Sequence, residues 1–153
     1  MQERLQQRIT SSEETKQLAE KIGKHLVGGE VITLTGDLGA GKTTFTQGLA
    51  KGLGVKRHVN SPTFTIIKEY QGSSLTLYHM DAYRLEDQAE DLGFDEYFYG
   101  GGVCVVEWPQ MIQDYIPQER LEIEIHKMGE QTREISFTPR GERYEQLIKE
   151  VLA

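Results

Sequence analysis

The chain has 153 residues, 37% of them hydrophobic and 27% charged, with 17 Lys+Arg against 24 Asp+Glu and a net charge of −7. That length predicts one domain over residues 1–153, because about 150 residues bury roughly 70% of their unfolded surface and need no covalent staples. The lone Cys104 excludes an intramolecular disulfide and a cysteine-built zinc site, and the acidic balance argues against a dedicated nucleic-acid binder while leaving open work on RNA through a basic partner.

The segment Met1–Arg8 lacks the apolar stretch of a secretory signal. No apolar run nears the ~18 residues that cross a bilayer, so the chain reads as cytoplasmic, with no membrane anchor. A helix starts at Ser11: Ser11 and Glu14 have capping-box spacing, Leu18, Ile22 and Leu26 form one stripe, and Gly28-Gly29 ends it. Val31–Thr35 is a short β-prone run without polar alternation, as expected of a strand buried on both faces. A Gly-rich turn follows, then a second helix marked by Phe45, Leu49 and Leu53 and stopped by Gly54. Phe64–Tyr70 and Leu75–Asp81 predict a hairpin across Gln71–Ser74. Leu85–Tyr99 reads as short helices, and Val103–Val106 as a second strongly apolar strand. In Leu121–His126 apolar and polar residues alternate, so this strand is half exposed; it pairs with Arg133–Thr138, after which Pro139 leads into an amphipathic helix carrying Tyr144, Leu147, Ile148 and Val151. The mixture predicts an α/β, three-layer domain of P-loop NTPase type, its mixed sheet having a parallel centre and antiparallel hairpin additions.

Gly36-Asp37-Leu38-Gly39-Ala40-Gly41-Lys42-Thr43 satisfies G-x-x-x-x-G-K-[ST]. Glycines let the chain curl its N–H groups around a polyphosphate, and the following helix adds unpaired amides and a positive dipole end. Asp37, Leu38, Gly39, Ala40 and Gly41 would form the nest. Lys42 would reach the β- and γ-phosphates of ATP, Thr43 would ligate Mg2+, and Thr44 would donate near the α-phosphate. At average residue usage such a match arises by chance in roughly one of a few hundred chains of this length, and the flanking strand and helix make it rarer.

P-loop chemistry also needs an acid at the end of a neighbouring buried strand. Glu107 follows four apolar residues and either meets that need or merely begins a surface loop. Asp81 shares a strand face with His79, so both could enter one site, or His79 could make a structural ion pair. Ser61-Pro62-Thr63 reads either as a Pro turn opening a strand or as a switch whose hydroxyl senses the γ-phosphate. A GTPase is disfavoured, since no [NT]-K-x-D guanine-reading motif occurs. A small-molecule kinase would need a basic lid, and the eight arginines form no cluster.

Together, Gly36–Thr44, Ser61-Pro62-Thr63, Tyr78-His79-Met80-Asp81-Ala82-Tyr83-Arg84-Leu85 and Val105-Val106-Glu107-Trp108-Pro109 resemble the bacterial TsaE family. These are small P-loop ATPases of threonylcarbamoyladenosine synthesis in tRNA. The resemblance runs from the start of the first helix to the hairpin near Arg133. It implies phosphate binding by Lys42, Mg2+ held by Thr43 and Glu107, and a metal-associated or catalytic acid at Asp81. Thr63 would lie on a switch-like loop, Trp108 beside the nucleotide, and Ser11 and Arg133 near it, although an exposed cap and an exposed strand arginine are equal alternatives for those two. It also implies binding to a TsaB–TsaD heterodimer, contact with tRNA only through that complex, and ATP turnover that is weak alone and stimulated by the partner. A non-catalytic ATP-gated adaptor is the other reading.

Overall fold

The structure, a computed structural model, describes residues 5–36, 41–56, 59, 67–82 and 94–152, apart from the side chain of Met111. The elements run β1 (Leu5–Ile9), α1 (Ser12–His25), β2 (Val31–Gly36), α2 (Lys42–Gly52), β3 (Ile67–Gln71), β4 (Thr76–Asp81), α3 (Phe94–Phe98) and β5 (Val103–Glu107). A 3-10 segment (Pro109–Tyr115), β6 (Arg120–Lys127), β7 (Arg133–Arg140) and α4 (Glu142–Leu152) complete the chain. The seven strands form one sheet in the order β1-β7-β6-β2-β5-β4-β3.

Strand β2 lies parallel to both β5 and β6, and β4 lies parallel to β5. Antiparallel β3 closes one side; β7 and β1 close the other. This is the mixed three-layer α/β architecture of a P-loop NTPase-like fold. Consecutive apolar residues in β2 and β5 follow from burial on both faces. Ile32, Leu34, Val103 and Val105 pack towards α1, α2 and α4, whereas Val31, Cys104 and Val106 pack towards Phe94, Phe98, Ile112 and Ile116 on the opposite side. Strand β6 has one apolar face only, with Leu121, Ile123 and Ile125 buried, as its alternation predicts. Among the described residues no helix is long and apolar enough to cross a membrane.

Several local features differ from the sequence reading. Strand β1 precedes the first helix, and its one inward apolar end, Ile9, gives no alternation to detect. Ser11 does cap α1, its Oγ accepting from the Glu14 N–H at 3.2 Å, but the Glu14 carboxylate reaches back to Thr10 N–H at 3.3 Å instead of to Ser11. Helix α1 stops at His25 with an extended Leu26 as its cap, two residues short of the glycine pair. There the buried Glu30 carboxylate accepts from the N–H groups of Val27 and Gly28, at 2.8 and 2.7 Å, and meets Arg143 at 3.2 Å. Strand β7 continues through Pro139 to Arg140 before α4 begins. Of the helices expected over 85–99, α3 is the described part, and 83–93 lie outside the described residues, as do 60–66 before β3.

Helices α1 and α2 touch through glycines. A Cβ on Gly48 would land on the Lys16 carbonyl oxygen and 2.9 Å from Ala19 Cβ, and one on Gly52 would meet the Glu20 carbonyl and, at 2.9 Å, Gly23 Cα. Gly48→Ala therefore lowers the midpoint of urea unfolding although alanine is the better helix former by about 1 kcal/mol; overpacking of this kind costs about 1–3 kcal/mol.

On the other face of the sheet Glu122 accepts from Arg140 Nε at 2.6 Å and from Arg120 Nη2 at 2.7 Å. Burial alone would raise this carboxyl, but the hydrogen bond from Arg140 and the Arg120 charge outweigh it and hold it below its ordinary value. A depressed carboxyl contributes stability that is present above its unfolded value, near 4.5, and is lost as pH falls through its folded value. Glu122→Gln should thus lower the melting temperature at neutral pH, with the gap to wild type narrowing below about pH 4.5.

Candidate functional site

Strand β2 ends at Gly36, opposite Ile125 of β6. A Cβ at Gly36 would run into the Ile125 carbonyl oxygen, so close packing dictates glycine. Asp37, Leu38, Gly39 and Ala40 lie outside the described residues. The chain continues at Gly41, whose φ of 113° belongs to the left-handed region and which caps α2. Here the two long N-terminal helices differ. Helix α1 is capped by Ser11 and carries Glu13 and Glu14 in its first turn. Among the described residues helix α2 has no side-chain cap and no acid in its first turn. Its first N–H groups and dipole end can receive an anion. Lys42, Thr43 and Thr44 stand half-buried in that turn, anchored by the fully buried Phe45.

Two acids flank this turn. Glu107, the buried last residue of β5, pairs with Leu34 on one side and with Asp81, the last residue of β4, on the other. Alternation along β4 and β5 puts Asp81, His79 and Glu107 on the face that packs against α2, together with Leu77, Val103 and Val105. His79 Nε2 lies 2.5 Å from Glu107 Oε2. A carboxylate only accepts, so that nitrogen carries the hydrogen. His79 Nδ1 is buried without a hydrogen-bond partner among the described residues. The structural ion pair that the sequence left as an alternative for His79 has its counterpart in this hydrogen bond, and the partner is Glu107. No signal in the sequence gives that partner, because it depends on the β4–β5 register.

No group of three or more His, Cys, Asp or Glu side chains among the described residues is arranged as a metal cage. Mg2+ does not need one: it binds through one or two carboxylates with waters and substrate phosphates, all oxygen donors. The Thr43 hydroxyl and the Glu107 and Asp81 carboxylates fit that chemistry. Trp108 follows Glu107 with φ 59° and ψ 50°, the one described non-glycine residue at positive φ, and it precedes Pro109. Lys42 Nζ lies 4.7 Å from the centre of its ring. Cys104 sits on the opposite face, its thiol pushed up to about 12 by burial, and takes no part in the site.

Ile9 of β1 pairs with Arg133 of β7, which pairs in turn with Lys127 at the end of β6, so Ser11 and Arg133 fall at the same end of the sheet as Gly36. Their described contacts are structural. Ser11 caps α1, and Arg133 Nη1 donates to the carbonyls of Gly129, Glu130 and Thr132 in the β6–β7 turn. Ser61, Pro62, Thr63, Tyr83, Arg84 and Leu85 lie outside the described residues. A groove lined by Lys16, Glu20, Gln47 and Lys51 runs between α1 and α2, on residues unconnected with the site.

The family model described as "Threonylcarbamoyl adenosine biosynthesis protein TsaE" matches residues 9–135. The chain is 58% identical over 147 residues to the tRNA threonylcarbamoyladenosine biosynthesis protein TsaE of Bacillus subtilis, covering 96% of this chain and 93% of that one. It is 41% identical over 128 residues to the protein of the same name from Treponema pallidum, covering 82% and 94%. A crystal structure of Bacillus subtilis YdiB superposes with a TM-score of 0.87 at 52% identity, covering 99% of this chain and 95% of that one.

The two glycines of the loop fail differently when replaced. A Cβ at Gly41 meets nothing within 4 Å, so Gly41→Ala costs only the left-handed backbone, about 1–2 kcal/mol. Gly36→Ala adds a collision with β6 and should lower the denaturation midpoint further than Gly41→Ala, which side-by-side urea titrations will measure.

Proposed function

The chain belongs to the TsaE family, whose members take part in the biosynthesis of threonylcarbamoyladenosine in tRNA, and on that premise we propose that it is a Mg2+-dependent ATPase serving a TsaB–TsaD complex in the cytoplasm. The observation that carries the reading is the uncapped first turn of α2, with Lys42, facing the two strand-end acids Glu107 and Asp81. Backbone amides from Asp37 to Gly41 cradle the phosphates, Lys42 neutralises the β- and γ-phosphates, and Thr44 donates near the α-phosphate. Thr43 and Glu107 hold Mg2+, with Asp81 as the neighbouring acid. When bound, the metal offsets charge on the phosphate oxygens. Trp108 flanks the nucleotide, with Ser11, Thr63 and Arg133 as further nucleotide contacts.

Among the described arginines, Arg120 and Arg140 engage Glu122 and Arg143 engages Glu30. A cation supplied by the partner would complete the site, and turnover in isolation would be slow.

Phosphate release tests the proposal. Wild type should turn over slowly alone and at least about tenfold faster with TsaB and TsaD, since a cation supplied in trans is worth about 10³–10⁵ in the best cases. Lys42→Ala should lose both rates. Equal background rates in all four conditions would refute the ATPase. A Glu107→Gln variant that binds ATP and still supports full tRNA modification would mark a non-catalytic adaptor.

A further inference from the structure

The apolar core gives no reason for a histidine at position 79. Its side chain is fully buried on the face it shares with Leu77, where a leucine would extend the layer without desolvating a polar ring. Buried polar atoms in a core are normally all satisfied, yet His79 Nδ1 has no partner among the described residues. Replacing both partners of a buried hydrogen bond by apolar groups of the same shape can be nearly neutral or stabilising, so stability alone accounts poorly for the pair with Glu107. The imidazole does accomplish one thing. Its Nε2–H fixes Glu107 Oε2 at 2.5 Å, and that is the hydrogen bond found for Glu107 among the described residues. With one oxygen fixed, the plane of the carboxylate is set, and Oε1 remains for whatever the site binds.

We propose that His79 is a positioning residue of the nucleotide site, holding the Glu107 carboxylate in the orientation in which it serves Mg2+ or the metal's water. The inference rests on the Mg2+–ATP reading above. It adds a residue that touches neither nucleotide nor metal and acts through Glu107. It also explains the tolerated vacancy at Nδ1, since one nitrogen is enough for that task. Outer-shell partners of this kind typically carry about 10–100-fold of metal affinity or activity.

The test is calorimetric, on the full chain. ATP affinity is measured in EDTA and in saturating Mg2+ for wild type, H79L, H79Q, E107Q and H79L/E107Q, beside kcat and KM in the presence of TsaB and TsaD. H79L should keep its EDTA affinity within about twofold, lose about tenfold of the Mg2+-dependent gain, and lose about 10–100-fold in kcat with a smaller change in KM. H79Q, whose amide N–H can still donate to Glu107, should recover most of both. Adding H79L to E107Q should change neither quantity by more than about twofold, because the route through Glu107 is already broken. An unchanged Mg2+ gain in H79L, or a full further loss on the E107Q background, overturns the proposal. If H79L does not fold, H79Q against wild type and H79L/E107Q against E107Q decide by the same criteria, the double variant leaving no buried, unpaired carboxylate. Wild type without any Mg2+-dependent gain would sink the ATPase reading and this inference with it. A wild-type gain that H79L retains sinks this inference alone.

Discussion

Strand β2 is hydrogen-bonded on both edges, to β5 and β6, and covered on both faces, so the point at which its last residue leaves the sheet is fixed from four sides. At that point β6 comes so close that no side chain fits on Gly36. A second close approach lies at the other end of the same strand–loop–helix unit, where Gly48 and Gly52 let α2 settle onto α1. The first turn of α2, with Lys42, Thr43 and Thr44, lies between these two contacts.

The same packing creates the electrostatic character of the sheet's edge. Towards the middle of the sheet both faces are apolar, and each fully buried Val, Leu or Ile contributes about 1.5–3 kcal/mol. At its carboxyl ends the strands finish in Asp81 and Glu107, held one rung apart by the β4–β5 register. Two neighbouring carboxylates repel unless a cation or proton comes between them or beside them. Glu107 is hydrogen-bonded by His79, and the Lys42 ammonium stands over the ring of Trp108, the residue that follows Glu107. A helix N-terminus, a lysine and two acids at one edge suit a ligand that is itself a polyanion carrying a cation.

How far the sequence foretells this depends on whether the determinant is local. The strands Val31–Thr35 and Val103–Val106 were legible because burial on both faces leaves a β-prone run without polar alternation, and β6 because burial on one face leaves alternation. The capping spacing of Ser11 and Glu14 was legible, although the carboxylate turns to Thr10. Hidden features depend on partners distant in sequence. Strand β1 exists by pairing with β7, α1 stops early because Glu30 takes up the amides beyond it, and His79 finds Glu107 only once β4 and β5 are in register. Glycine packing between α1 and α2 was equally invisible, since Gly48 and Gly52 in a helix read as weak points until the neighbouring backbone is in place.

Departures from ordinary local rules concentrate at the edge that carries Lys42. Trp108 is a bulky residue at positive φ ahead of a proline, a conformation disfavoured on both counts and costing about 1–3 kcal/mol. Among the described residues the first turn of α2 lacks a side-chain cap, and His79 Nδ1 lacks a hydrogen-bond partner. Elsewhere, buried or partly buried polar groups are well partnered: Glu30 has two amides and Arg143, Glu122 has two arginines, and α1 has Ser11. A sequence selected for stability alone would remove such features first, with a glycine at 108 and a leucine at 79. The strained Trp108 and the open first turn of α2 are explained together if both are put to use by an anion bound at that turn.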